Sequence, residues 1–447
     1  MKRIKRVFVA NRGEIALRIV SACEELGIES VVGASEADMQ GLAARRADRT
    51  VCIGPGPAAQ SYLRDDVVVQ AALGTGCDAI HPGYGFLSES PKLAARAQES
   101  GITFVGPPAE VIELSGDKLR AREEAVRAGV PVLPGREVST DAEARDVADT
   151  IGYPLLVKAA GGGGGRGIKL ARDADELASL LTLARSEAGA AFGDDRVYLE
   201  RFVANARHIE VQIAADEHGA VVHLGERDCS VQRRYQKVIE ESPAPGVEPA
   251  TRNALTAAAV AFARAIGYRN LGTVEFVVDA DTGEHFFLEI NCRIQVEHPV
   301  TEAVTGRDLV ALQLHIADGE QLGFTQEEVV FDGHAIECRL NAEDVAHGFM
   351  PSPGTLSLFS VRELLQLRVD THLCAGAVIP PYYDSLMAKL IAHAEGREAT
   401  IDVLLEALEE LDVEGVETNR TLLISVLGHD DFRRGAVTTD WLERAIV

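Results

Sequence analysis

The stretch Leu288-Glu289-Ile290-Asn291-Cys292-Arg293-Ile294-Gln295-Val296-Glu297 alternates apolar and polar residues without a break. An extended backbone would send Glu289, Asn291, Arg293, Gln295 and Glu297 to one face and the apolar residues to the other. Ordinary half-buried strands also alternate, but their wet face is filled with threonines and lysines. Here metal-type oxygens are followed by anion-type donors. Glu289 and Asn291 offer hard oxygen ligands. Glu275, in Thr273-Val274-Glu275-Phe276, adds a carboxylate across a hairpin whose turn is Asp281-Thr282-Gly283, and two carboxylates with phosphate oxygens suit Mg2+. Arg293 and Gln295 then supply donors for a planar oxyanion, with Glu297 placed to act as a base.

A second chemical feature follows the apolar run Leu155-Leu156-Val157-Lys158: Gly161-Gly162-Gly163-Gly164-Gly165-Arg166-Gly167. Ordering such a run costs much backbone entropy, so it is expected to stay mobile until a ligand holds it. Amides without side chains approach phosphate oxygens closely, which reads as a lid over a triphosphate. A flexible linker is the plain alternative, against which Lys158 and Arg166 weigh. No Gly-Lys-Ser/Thr follows, so this is not a P-loop.

These segments need elements to position them. Residues 4–34 read as strand, Asn-Arg-Gly-Glu turn, amphipathic helix (Ile15, Ile19, Cys23 and Leu26 at helical spacing) and a second strand around residues 30–34. The rhythm continues through Ala79-Ile80-His81 and residues 102–108, predicting an open parallel α/β unit. Its first turn lacks Gly-x-Gly-x-x-Gly, which argues against a dinucleotide site. Residues 116–204 give a helix, a Pro-rich turn, a strand ending at Lys158 and the glycine run. Strands dominate 206–305, and residues 333–447 mix strands, Pro-rich loops and a late helix over 401–411.

At 447 residues, with 46% hydrophobic and 25% charged residues, the chain is a globular protein of several domains. A net charge of −25 repels nucleic-acid backbones, so any phosphate ligand needs a local cationic cluster. The seven cysteines (Cys23, Cys52, Cys77, Cys229, Cys292, Cys338 and Cys374) form no Cys-x-x-Cys pair, which suits a reducing cytosol. The basic start breaks at Asn11-Arg12-Gly13-Glu14, too early for a signal peptide, and no apolar run is long enough to span a bilayer. A cytoplasmic protein without nucleic-acid or membrane partners is expected.

The run Asn291-Cys292-Arg293-Ile294-Gln295-Val296-Glu297-His298-Pro299-Val300-Thr301-Glu302 resembles the signature of biotin carboxylases, within the ATP-grasp superfamily. Ala10-Asn11-Arg12-Gly13-Glu14-Ile15-Ala16, His81-Pro82-Gly83-Tyr84-Gly85-Phe86-Leu87-Ser88-Glu89, Gly116-Asp117-Lys118, Glu226-Arg227-Asp228-Cys229-Ser230, Gln236-Lys237-Val238, Glu337-Cys338-Arg339-Leu340 and Pro380-Pro381-Tyr382-Tyr383-Asp384-Ser385 resemble family motifs in the same order. The resemblance implies a fold of class α/β and α+β. Residues 1–114 would form an N-terminal pre-ATP-grasp α/β domain and 115–330 an ATP-grasp domain whose lid covers about 131–204. Residues 331–447 would form a C-terminal mixed α+β domain.

The implied activity is ATP-dependent carboxylation of biotin by bicarbonate through carboxyphosphate, with Mg2+ or Mn2+. By the same resemblance Lys118, Lys158 and His208 contact nucleotide phosphates and ribose, and Gly163, Gly164, Gly165, Arg166 and Gly167 cover the phosphates. Glu200, Arg201 (through its carbonyl) and Val203 form the adenine edge. Gln232 and Lys237 also line the ATP site, and Glu275, Glu289 and Asn291 surround the metal. Lys237, Arg293, Gln295 and the Val296 amide hold bicarbonate while Glu297 removes its proton. Arg339 stabilises the biotin oxyanion, bordered by Tyr84 and Gln295.

Tyr235 stands where relatives carry His or Asn, Cys292 where they carry Thr, Pro or Ala, and 371–377 departs from a common Tyr-Ala-Gly-Tyr pattern. Ser21 and Leu365 replace an Arg and a Phe that lie at the dimer contact of one bacterial form, which weighs against a homodimer of that type. With no biotinylation motif in the sequence, the implied partners are a biotin carboxyl carrier protein and a carboxyltransferase, as in acetyl-CoA or another acyl-CoA carboxylase. Two alternatives stand beside this reading. A carbamoyl-phosphate or purine-pathway ATP-grasp enzyme would lack the Arg-Ile-Gln-Val-Glu-His run. A catalytically silent ATP-binding regulatory subunit would not need Lys237, Arg293, Glu297 and Arg339 together.

Overall fold

The computed structural model describes residues 4–161 and 168–446. The predicted strand–turn–helix–strand opening is present as β1 (Arg6–Val9), the helix Gly13–Leu26 and β2 (Glu29–Ser35). Val7, Phe8 and Val9 are fully buried, as a strand covered on both faces requires. With β3 (Arg49–Gly54), β4 (Ala79–His81) and β5 (Thr103–Phe104) they form a parallel sheet of order β3-β2-β1-β4-β5. The order reverses between β1 and β4, and loops leaving that crevice are where parallel sheets place ligands. Gly13 sits there at φ +67, a left-handed conformation that glycine takes without strain. The Asn11 amide donates to the carbonyls of Pro82 and Tyr84, tying the two crevice loops together.

The second unit is an antiparallel sheet of β6 (Gly135–Val138), β7 (Leu155–Ala159), β8 (Ile168–Ala171) and β9 (Val197–Arg201), in the order β6-β9-β7-β8. Two helices, Asp141–Ile151 and Ala174–Phe192, pack on it through Val147, Leu177 and Leu181. The expected phosphate ligands Gly163, Gly164, Gly165, Arg166 and Gly167 lie outside the described residues.

The largest sheet has eight strands. β10 (Ala206–Ala215), β11 (Val221–Arg233), β12 (Gln236–Ser242), β13 (Asn270–Asp279), β14 (His285–Asn291) and β15 (His334–Asn341) join the strands Leu386–Ala394 and Leu367–Thr371. Their order is β14-β13-β10-β11-β12-β15, then Leu386–Ala394, then Leu367–Thr371. One face is apolar. Ile209, Val211, Val274 and Phe276 pack against Leu255, Ala259 and Phe262 of the helix Pro249–Ala265. Farther along, Ile336, Cys338 and Leu390 pack against Ile401 and Leu404 of the helix Arg397–Glu409. By alternation, His208, Glu210, Glu275, Glu337 and Arg339 project from the opposite face.

Two expectations are corrected. The strand through Asn291 does not continue: residues 292–297 bend and turn into the helix His298–Thr305, because Pro299, at the start of that helix, suits a helix start and not a strand interior. The span 206–305 is strand-dominated as expected, and also contains the Ala-rich helix Pro249–Ala265. The late helix begins at Arg397, four residues earlier than its apolar spacing suggested.

Candidate functional site

The hairpin β13–β14 places Glu275 opposite Glu289 in antiparallel register. β10 places Glu210 opposite Glu275 on the other side. Lys237, on β12, reaches back to this face, and its Nζ donates to Glu210 Oε2 at 2.6 Å, Glu275 Oε1 at 3.0 Å and Glu297 Oε1 at 2.6 Å. Three buried carboxylates around one ammonium require further cations. Arg227 supplies one: wholly buried, it donates to Glu210, Gln212, Thr301 and Thr273. Arg339 supplies another, its guanidinium donating to Glu240 Oε1 at 2.6 Å and Glu297 Oε2 at 3.0 Å.

Glu297 is therefore bracketed by Lys237 and Arg339. Burial would raise its carboxyl, but Lys237, Arg339 and Arg227 outweigh burial and hold it well below the usual carboxylate range. Burial would likewise lower Lys237, but Cys229, Glu210, Glu275 and Glu297 keep its ammonium well above its ordinary value. Glu240, buried behind Arg339, is pushed up to about 7 by burial and by Glu297 against the pull of Arg339.

Arg293 donates to Gln295 Oε1 at 2.9 Å and Asn291 Oδ1 at 3.1 Å, while its Nε lies 3.2 Å from Glu89 of the crevice loop. Asn291 Nδ2 donates to Glu275 Oε1 at 2.9 Å. The polar groups read from the alternating sequence thus converge through a turn and not along one extended strand. Among the metal candidates, Glu275 and Asn291 touch, whereas Glu289 lies 3.6 Å from the ammonium of Lys118. The donor set of two carboxylates on paired strands and an amide oxygen fits a hard divalent cation.

The predicted nucleotide residues form a neighbouring group. Lys158 donates to the buried carboxylate of Glu200, and Arg122 lies 3.6 Å from the same group. Val203 is buried. The Arg201 guanidinium lies over the Phe286 ring while its backbone is bound to Pro134, which leaves its charged group out of this cluster. Gln232 donates to His208 Nδ1 at 2.9 Å, and His208 Nε2 lies 3.1 Å from Glu275. Tyr84 stands apart from Arg339 in direct bonding: its hydroxyl donates to Glu14, beside a cavity of about 190 Å3 lined by Asn11, Glu14, His372 and Asp384.

Sequence reasoning did not single out Glu210, Arg227, Glu240 or Glu89. Arg227 and Glu89 lay inside quoted motifs. Glu210 carried a usable signal, since His208, Glu210 and Gln212 alternate with Ile209, Val211 and Ile213 just as the stretch at 288–297 does.

Comparison with known proteins covers nearly the whole chain. Residues 3–112 match the family model for the biotin carboxylase N-terminal domain, 117–325 that for the carbamoyl-phosphate synthase L chain ATP-binding domain, and 337–444 that for the biotin carboxylase C-terminal domain. The biotin carboxylase of Pseudomonas aeruginosa is 49% identical over 99% of both chains. A crystal structure of the biotin carboxylase domain dimer of Hydrogenobacter thermophilus 2-oxoglutarate carboxylase, in complex with MgADP, ADP and bicarbonate, superposes with a TM-score of 0.96. It shares 46% identity, over 99% of this chain and 97% of that one. The Campylobacter jejuni biotin carboxylase in a β,γ-ATP complex gives a TM-score of 0.96 at 41% identity over 99% of each chain. Among the described residues, no helix is long and apolar enough to cross a membrane.

Proposed function

The chain belongs to the biotin carboxylase family, and from that premise we propose how its own residues divide the work of the reaction. The enzyme is an ATP-dependent ligase that uses bicarbonate to carboxylate biotin on a carrier protein. The observation that carries the residue assignment is Glu297, held between Lys237 and Arg339.

Lys237, Arg293, Gln295 and the Val296 amide bind bicarbonate, and Glu297 takes its proton so that an oxygen attacks the γ-phosphate. A carboxylate this strongly paired is ionised but weakly basic; negative charge arriving with bicarbonate and nucleotide raises its proton affinity. Lys118, Lys158, His208 and Gln232 hold the nucleotide, with Glu200, the Arg201 carbonyl and Val203 at the adenine edge. Glu275, Glu289 and Asn291 would hold Mg2+, which when bound neutralises charge between the β- and γ-phosphates. Carboxyphosphate breaks down to CO2 and phosphate, the phosphate takes the N1 proton of biotin and N1 adds to CO2; Arg339, a planar cation, steadies the biotin oxyanion, with Tyr84 and Gln295 at the edge of the biotin pocket.

The same reading divides the chain at about residues 114 and 330, and pairs it with a separate biotin carboxyl carrier protein and carboxyltransferase in the cytoplasm. Seven free cysteines support a reducing compartment. The dimer of the related Hydrogenobacter thermophilus biotin carboxylase domain supports a second copy of the chain as a partner, through a contact that Ser21 and Leu365 would change. The test is ADP release by the purified protein with free biotin. It should require both bicarbonate and biotin, and equal release without bicarbonate would overturn the reading.

A further inference from the structure

Lys389 lies in the strand Leu386–Ala394, is 0% exposed and has no role in the site assigned above. It stands opposite Arg339 in one antiparallel register and opposite Asp370 in the other. Its Nζ donates to the Val296 carbonyl at 3.0 Å and lies 3.3 Å from Glu14 Oε1 and 3.9 Å from Asp370 Oδ2. These partners come from separate parts of the fold. Glu14 begins the first helix of the parallel unit and accepts from the Tyr84 hydroxyl through the same oxygen. Val296 belongs to the turn that carries Glu297.

A buried ammonium is costly unless it is paired, and an apolar side chain of similar volume would fill the slot at less cost. Met387, Leu390 and Ile391 show that this strand otherwise accepts such residues when buried. What the ammonium adds is a directed bond to one carbonyl. That carbonyl shares a planar peptide with the Glu297 amide, so fixing it fixes the start of Glu297. The turn lies outside any ladder; His298 Nδ1 lies 2.8 Å from the Gln295 carbonyl and Lys237 and Arg339 hold the Glu297 carboxylate, but the backbone bonds that follow the Val296 carbonyl, His298 N to Gln295 O at 3.3 Å and Val300 N to Glu297 O at 3.4 Å, are long.

We infer that Lys389, with Glu14 as its counter-ion, is a positioning residue that sets the Val296–Glu297 peptide and so aims the Glu297 carboxylate at bicarbonate. The inference rests on the assignment of Glu297 as the base. Because Glu14 also receives Tyr84, the same pair ties the tyrosine beside the biotin pocket to the bicarbonate turn.

The experiment compares Lys389→Met with the double variant Lys389→Met/Glu14→Gln, which removes both charges and so tests the role apart from charge imbalance. Melting temperature, nucleotide affinity, and KM for ATP and for bicarbonate are measured on each. Both variants should lose about 100-fold in kcat/KM for bicarbonate, with KM for ATP within about threefold of the parent. The double variant should melt near the parent. Parental bicarbonate kinetics in the double variant would reduce Lys389 to a counter-ion of Glu14 and overturn the inference. So would a rise in KM for ATP, or a loss of nucleotide affinity, as large as the loss in kcat/KM for bicarbonate, which marks a general lesion. Glu297→Gln measured alongside keeps the premise separate: full activity there removes the base assignment, whatever the Lys389 variants do.

Discussion

Arg339 and Lys389 stand opposite each other on neighbouring antiparallel strands and hold consecutive residues of one turn, Arg339 the Glu297 carboxylate and Lys389 the Val296 carbonyl. The two cations share the polar face of the sheet, so the Glu297 carboxylate and the peptide before it are fixed from the same floor. With Lys237 of β12 on the other carboxylate oxygen, placement of Glu297 is thereby a property of three neighbouring strands as much as of the turn in which it sits.

Replacing Glu297 by Gln keeps the shape of the side chain but removes the proton acceptor. Bicarbonate-dependent ADP release should fall by about 10²–10⁴, while calorimetry should find nucleotide affinity within about threefold of the parent. A matching loss of nucleotide binding would place Glu297 in the ATP site instead.

Arg227 touches no predicted substrate, yet it is buried among Glu210, Gln212, Thr273 and Thr301. Arg227→Met leaves Glu210 with one cation fewer, and stability should drop by about 3–5 kcal/mol in urea titrations. The exposed pair Arg46–Glu24 is the contrast, where Arg46→Met should cost less than about 1 kcal/mol.

His81 and His372 are buried, and burial lowers both to about 3 from 6.5 in the unfolded chain. Between those values the unfolded chain binds more protons. Their stabilising contribution is complete above pH 6.5 and is lost as pH falls toward 3, by up to about 1.4 kcal/mol per pH unit for each. The urea-midpoint difference between the parent and His372→Gln should be constant from pH 7.5 to 6.5 and shift in favour of the variant below 6.5, the raised carboxyl of Glu240 acting equally in both.

Glu289 lies across the strand pair from Glu275. If both serve the metal, Glu289→Gln should raise the Mg2+ concentration needed for half-maximal ATP turnover by at least ~10-fold, with bicarbonate KM little changed. An unchanged Mg2+ requirement would leave Glu289 only its contact with Lys118.

The sequence spoke most clearly where one element decides the outcome. The parallel opening unit, the hairpin around Asp281-Thr282-Gly283 and the polar set from Glu289 to Glu297 are all legible from local periodicity. Alternation overshot at Cys292 because period-two patterning cannot mark where a strand ends, although Pro299 carried that information. Glu240, Glu210 and Lys389 stayed hidden for a different reason. Each matters through a partner on another strand: Glu240 meets Arg339 across 99 residues, and Lys389 meets Val296 across 93. The order in which strands join a sheet is not written in the spacing of any one of them.

That sheet has one more consequence. β12 hydrogen-bonds β15 along Ile239–Ser242 and Ala335–Cys338, so two segments matched by separate family models are woven into a single fabric. Cutting the chain between residues 325 and 337 would not release two finished modules. It would tear a seam, leaving each half with a raw strand edge and the Glu240–Arg339 contact split between two molecules, the kind of edge on which chains aggregate. A cut near residue 114 would by contrast sever no sheet, since the parallel one is complete by Phe104.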